Sequence, residues 1–358
     1  MQMGFAEKLR LLPSTFLITT LLLCAGHLAS AQSQTKDSSG KTSNVKTALA
    51  GGAWREDWTA LKLPASDRPH VDTELLSNDS HPGFTRELLQ VEWRVNDNID
   101  LWVIKPEGVK NPPVVLYLYS YPSTNNRYQD LDFCKFLTRN GVAAVGFVST
   151  LTGQRYHDRP MQEWFVSDLQ EALATTVHDV QMILDYLASR GDLDIHRVGM
   201  FGDGSGASVA IMAAATDPRI KVLDLLNPWG DWPDWFAKST LVPEGERADY
   251  LKPDFLKKVE GVDPVKWLPE LTSQTARLQY IKAGVPVTPP VAKEKIVSAA
   301  PDNVKVTPYQ DTKEFFRLVA TTGSGFDWIQ DRVKTLPSAG EIKTAAHMPD
   351  QENRGGLR

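Results

Sequence analysis

The run Val114-Val115-Leu116-Tyr117-Leu118-Tyr119 is apolar at every position, with no alternation. A strand with one face in water alternates polar and apolar residues, so an unbroken run belongs to a strand covered on both faces, as in a helix-sandwiched parallel sheet. Similar runs follow at Val142–Val148 and Val198–Phe201, and at Val222–Leu226, Leu278–Ile281 and Val304–Thr307, which carry Asp224, Gln279 and Lys305 among their apolar residues. Helical signals lie between these runs. The clearest is Ser167–Arg190, where Leu169, Leu173, Val177, Val180, Leu184 and Leu187 recur at spacings of 4, 4, 3, 4 and 3. That spacing draws one apolar stripe along a helix, and Gly191 offers a left-handed stop. Ahead of them, Leu88–Val95 and Ile99–Lys105 flank the turn cluster Asn96-Asp97-Asn98 and predict a hairpin. A hairpin followed by alternating strands and helices predicts an open, mostly parallel α/β sheet with helices on both faces. In such sheets the functional loops gather at the carboxyl ends of the strands.

One of those loops has a recognisable form. Arg197-Val198-Gly199-Met200-Phe201-Gly202-Asp203-Gly204-Ser205-Gly206-Ala207 reads as strand, sharp turn, helix. It resembles the nucleophile elbow of the α/β-hydrolase superfamily, G-x-S-x-G. Strand and helix close around the turn only if the residues two before and two after the nucleophile are small. Gly202 and Gly206 fill those positions, which leaves Gly204 where the serine belongs. Ser205 as a shifted nucleophile would put Asp203 in a small-residue position. It would also fall in the first turn of the helix, where a hydroxyl caps or bonds locally. We read Ser205 as structural.

The resemblance runs from about Leu88 to Val333 and is similar to the secreted esterase and peptidase branches, dienelactone-hydrolase-like and acetyl-xylan-esterase-like proteins. Asp217-Pro218-Arg219-Ile220-Lys221, leading into an apolar strand, looks like the segment that leaves the elbow helix there. The resemblance implies an α/β-hydrolase fold with a lid-like insertion, residues 229–277, after the sixth strand. It also implies where the other catalytic groups would stand. Tyr119-Ser120 occupies the His-Gly place of the oxyanion loop, whose backbone donor does not depend on the side chain. The acid would stand in Gly284-Val285-Pro286-Val287-Thr288-Pro289-Pro290, where Val285 replaces the carboxylate. A valine cannot orient an imidazole. Asp231 could supply the acid from the preceding strand, or serve as a turn residue or the cap of a helix near Trp232. Lys313 or Glu314 holds the histidine position, and the only histidine after the elbow is His347, in a polar tail. Nucleophile, acid and base are therefore substituted together.

The remaining pocket candidates are Tyr119, Ser120, Tyr121, Tyr156, Asp203 and Ser205. His157-Asp158 could form a base pair for unorthodox chemistry or part of a metal site, but these residues lack ligand spacing, and solvated loop residues are the simpler reading. No metal or cofactor is expected, and no phosphate loop is present. The insertion holds Trp232, Trp235, Tyr250, Phe255 and Trp267. Those aromatics could bind an apolar or sugar ligand, or pack the insertion onto the domain, which is the expectation preferred here.

Composition bounds the rest. In 358 residues, 39 Lys+Arg against 44 Asp+Glu give a net charge of −5, which argues against a nucleic-acid partner. Met1–Ala31 carries Lys8 and Arg10, an apolar stretch from Phe16 to Ala25, and a closing Ala29-Ser30-Ala31. That order is a cleaved export signal; a retained anchor is the alternative, though the stretch is short for a membrane span of about 20 residues. Removal of the signal takes Cys24 and leaves Cys134 as the one thiol, so no internal disulfide forms. The expected organisation is signal 1–31, flexible linker 32–53, domain 54–336 and polar tail 337–358. The sequence thus predicts an exported, periplasmic or extracellular protein with no membrane span after processing. Its first functional reading is a non-catalytic hydrolase homologue that binds a small molecule or protein. The alternative is an active hydrolase of ester or peptide-like bonds with a rearranged site.

Overall fold

The unbroken apolar runs are strands of one nine-stranded sheet, ordered β1-β2-β3-β5-β4-β6-β7-β8-β9. The structure is a computed structural model that describes residues 56–94, 97–121, 124–151, 166–283, 287–322, 325–338 and 340–341. The chain divides into two units, Met1–Asp57 and Trp58–Arg358, and every element below belongs to the second. The expected signal, the whole of the expected linker, Tyr156, His157, Val285 and His347 lie outside the described residues.

The strands are β1 (Asp72–His81), β2 (Phe84–Glu92), β3 (Ile99–Pro106), β4 (Pro113–Leu118), β5 (Ala143–Gly146), β6 (Asp194–Asp203), β7 (Ile220–Leu226), β8 (Thr275–Ile281) and β9 (Val304–Tyr309). The main helices are α1 (Leu131–Thr138), α2 (Leu169–Arg190) and α3 (Ser205–Thr216). The insertion after β7 contributes α4 (Trp232–Lys238), α5 (Arg247–Tyr250), α6 (Pro253–Val259) and α7 (Pro264–Trp267). Three more follow: α8 (Pro290–Ala299), α9 (Thr312–Thr322) and α10 (Asp327–Lys334). Strands β1, β2, β3 and β5 pair antiparallel in turn, and from β5 through β4 to β9 every pairing is parallel.

Burial explains the sequence pattern. Every residue of β4 and β5 is buried. Helix α2 presents its apolar stripe to the core and stops at Gly191, whose φ of 74° is left-handed. The polar side of α2 is used as well. His178 Nε2 lies 2.7 Å from Ala60 O, and the Gln181 amide donates to Leu61 O and accepts from Leu63 N–H, fastening the segment before β1 to the helix.

Strand β1 is the element the sequence pattern does not announce. It reads DTELLSNDSH and forms a sheet edge, with Leu75 at 54% and Leu76 at 47% exposure and a bulge between Leu75 and Ser77. An edge strand open to water needs neither an apolar run nor strict alternation. Its presence shifts the count, so the insertion follows the seventh strand instead of the sixth.

Candidate functional site

The elbow is built by close approach of backbone to backbone. A Cβ on Gly202 would lie 2.5 Å from Ala207 Cα, and one on Gly206 would lie 2.1 Å from Leu118 O. Neither neighbour can move without displacing strand or helix, so both positions require glycine. Between them Gly204 adopts φ 54° and ψ −116°, a conformation that L side chains take only under strain. Its N–H donates to Leu226 O at 2.9 Å, and its carbonyl accepts from Ala207 and Ser208 N–H at 3.1 and 3.2 Å. The turn is therefore fixed by backbone bonds on both sides.

The space a nucleophile would use is filled. A Cβ on Gly204 would meet Ser120 Oγ at 2.2 Å, Ser120 Cβ at 2.7 Å and Trp229 Nε1 at 3.1 Å. In acyl transfer on this fold, the N–H after the nucleophile and an N–H from the loop after the central strand face the developing oxyanion. Here the Tyr121 N–H donates to Ser205 Oγ at 3.0 Å, and the Ser205 N–H makes a longer bond of 3.5 Å to Ser120 Oγ. Two serine hydroxyls thus occupy the two donors. Ser205 is 1% exposed, and no imidazole bonds to it among the described residues.

Of the pocket candidates, Tyr119, Ser120, Tyr121, Asp203 and Ser205 meet at the carboxyl ends of β4 and β6. Arg127, from the 3₁₀ turn Asn125–Gln129, stacks its guanidinium 3.5 Å from the centre of the buried Tyr119 ring. Asp203 keeps some surface as a residue, yet desolvation pushes its carboxyl up to about 6, against the opposing pull of Arg127 and the Gly204 N–H. Partial burial also raises the Tyr121 phenol. No motif marks Arg127 in the sequence; only the fold of its turn brings it here.

The alternative acid Asp231, and Glu314 of the two residues expected at the histidine position, make other contacts. The Asp231 carboxylate pairs with Lys295 Nζ at 2.9 Å, and the same ammonium meets Asp234 at 2.8 Å. Asp231 sits at the N-cap position of α4, but its side chain does not cap. The cap comes from Asp263, whose two oxygens accept from Asp231 N–H at 2.9 Å and Trp232 N–H at 3.1 Å. This corrects the cap reading of Asp231: the left-handed backbone, φ 54° and ψ 66°, accompanies a carboxylate bound to Lys295. At the start of α9, Lys313 is exposed, while Glu314 Oε2 accepts from Gln310 N–H at 2.5 Å and Asp311 Oδ1 accepts from Glu314 N–H at 2.8 Å. These carboxylates satisfy orphan donors at the helix start.

The insertion aromatics form a core. Trp229, Trp232, Trp235 and Phe236 are fully buried, with ring centroids 5.3 Å apart for Trp229–Trp235 and 5.7 Å for Trp232–Trp235. Phe236 continues the contact to Tyr250 and Phe255. These faces are spent on packing. Among the described residues there is no group of three or more His, Cys, Asp or Glu side chains placed to hold a metal ion. None of their helices is long and apolar enough to cross a membrane.

The sheet order, the elbow and its flanking helices define an α/β-hydrolase fold, and solved structures agree. Acetyl xylan esterase 1 from Thermoanaerobacterium sp. JW/SL YS485 superposes with a TM-score of 0.57 at 15% identity, over 74% of this chain and 88% of that one. Acetyl xylan esterase from Paenibacillus sp. R4 gives 0.54 at 16% identity, over 68% and 83%. S-formylglutathione hydrolase from Agrobacterium tumefaciens gives 0.53 at 16% identity, over 72% and 99%. In sequence, the chain is 25% identical over 178 residues to "Putative hydrolase YtaP" of Bacillus subtilis (strain 168). That match covers 44% of this chain and little more than half, 57%, of the relative. No family model matches the chain.

Proposed function

We propose that this α/β-hydrolase-fold protein does not carry out serine-hydrolase catalysis and instead binds a small molecule or protein partner. The observation that carries this reading is the filled elbow, where Ser120 occupies the place of a residue-204 side chain and serine hydroxyls take both backbone donors. A fold can outlast a chemistry, since function resides in the site and not in the sheet. Tyr121, Arg127 and Asp203 offer the polar groups at the strand ends that a ligand would meet. The reading predicts that p-nitrophenyl acetate and butyrate turn over no faster with the wild-type protein than with Ser205→Ala. A wild-type rate well above that variant would reject it.

The second reading, an active hydrolase with a rearranged site, is favoured by the Asp203 carboxyl, which changes charge near pH 6 beside the elbow. It requires Ser205 Oγ to leave the Tyr121 N–H and find a base. A panel of ester and peptide substrates with no turnover removes it.

Export belongs to the same proposal, supported by the basic, apolar and Ala29-Ser30-Ala31 order of the leader. Protein recovered from a periplasmic or secreted fraction should begin at Gln32. An intact Met1 would reject cleavage.

A further inference from the structure

Asn140-Gly141 is the only Asn-Gly pair in the chain, and it stands just past the end of α1. Gly141 takes a left-handed backbone, φ 75°, and its N–H donates to Thr138 O at 2.9 Å. With no Cβ on the following residue, the backbone nitrogen next to the Asn140 side chain is unshielded. Asn140 itself is only partly buried. Its amide ties this corner to α10: Nδ2 donates to Asp327 Oδ1 at 2.9 Å and to Gln330 Oε1 at 2.7 Å.

Neither partner atom can donate in return. A carboxylate has no donor, and the Gln330 amide cannot turn over. Gln330 is fully buried, and its Nε2 already donates to Leu137 O at 2.8 Å and to the Tyr117 hydroxyl at 3.3 Å. The Asn140 Nδ2 is thus the shared donor of the junction. Arg139 adds a second contact to Asp327, at 2.5 Å on the surface, where an ion pair contributes little. The junction matters because α10 covers the sheet beneath the elbow. Ile329 and Val333 are fully buried against Gly199 of β6, and Phe326 packs on the Tyr117 and Phe201 rings.

We propose that Asn140 is a deamidation site and that the carboxylate it becomes undocks α10. When the end of α1 opens, the Gly141 nitrogen leaves Thr138 O and attacks Asn140 Cγ. A C–N bond forms, the Gly141 nitrogen gives up its proton, the Cγ–Nδ2 bond breaks and ammonia departs. Water then opens the cyclic imide at either carbonyl, leaving an aspartyl or isoaspartyl residue. One water is consumed and one ammonia released, with no other reactant. The product sets an anion against the Asp327 carboxylate and leaves the buried Gln330 Oε1 without its donor, a loss that a buried acceptor does not tolerate. This inference does not depend on whether the elbow is catalytic.

The test holds the full chain in warm, mildly alkaline buffer and follows the amide-to-acid mass gain by peptide mapping. Asn140 should convert several-fold faster than the exposed Asn126, which precedes Arg127, and should give both aspartyl and isoaspartyl peptides. Conversion no faster than at Asn126 overturns the site. Hydrogen exchange then tests the consequence. In Asn140→Asp the amides of Asp327–Lys334 should exchange about tenfold faster than in wild type, while those of Phe84–Glu92 stay unchanged. Asn140→Ala, which removes the donor without adding charge, should fall between the two. If Asn140→Asp does not fold, deamidated and intact molecules separated from the incubation give the same comparison. Unchanged exchange in α10, or an equal rise in β2, overturns the undocking.

Discussion

At the elbow, backbone packs against backbone: the α-carbons of Gly202 and Gly206 have no room for a Cβ beside Ala207 and Leu118. At the rim where β7 and β9 end, side chains do the holding instead, with Asp231 bound to Lys295, Asp263 capping α4, and Glu314 engaging Gln310. The two regions would share one catalytic site in an active serine hydrolase. Sterics fix the elbow whether or not it reacts, so its form survives without a serine. The rim has no such constraint, and its carboxylates serve whichever backbone donors and lysines lie near. An elbow therefore identifies a fold, while the rim decides whether a base and an acid are available.

The comparison breaks first under Gly206→Val. Side-chain carbon forced into Leu118 O should cost more than about 3 kcal/mol in urea unfolding, whereas Lys313→Ala at the rim should stay within about 0.5 kcal/mol. Equal effects would mean the elbow is no more constrained than the rim.

A smaller effect separates steric filling from backbone strain at Gly204. Gly204→Ser should destabilise by about 1–3 kcal/mol, and Ser120→Gly in the same chain should restore part of that loss. A double-mutant cycle with no coupling would show that Ser120 is not what fills the space. On the proposed reading, in which Val285 and Lys313 or Glu314 stand at the acid and base positions, Gly204→Ser should not create an efficient enzyme.

The Asp203 carboxyl gives the smallest and most specific signal. Its folded value is raised from 3.8 to about 6, so the native state holds the proton more tightly than the unfolded chain. Stability from this group is present below about pH 4, is lost as pH rises through about 6, and is then constant. Asp203→Asn should therefore gain roughly 2–3 kcal/mol over wild type on going from about pH 4 to about pH 7. A gap that does not widen with pH would place Asp203 in water.

Strands buried on both faces were legible where the run is apolar throughout, as in Val114–Leu118, and α2 because its stripe has one period; β7 and β8 carry the buried Asp224, Arg277 and Gln279, which bond to one another. The elbow register followed from three glycines. Strand β1 was not legible, since an exposed edge leaves the pattern to chance. Neither were the partners within the site. Ser120 meets Ser205 across 85 positions, Asp263 reaches the α4 terminus across 32, and Lys295 reaches Asp231 across 64. Such pairings arise from how loops converge above the sheet, and local spacing carries no trace of them.

The central claim, an elbow closed to acyl chemistry, is tested most directly by reacting the folded protein with a fluorophosphonate probe and mapping any adduct by mass spectrometry. The account predicts no adduct on Ser120 or Ser205 above that of heat-denatured protein. A stoichiometric adduct on Ser205 Oγ would contradict it.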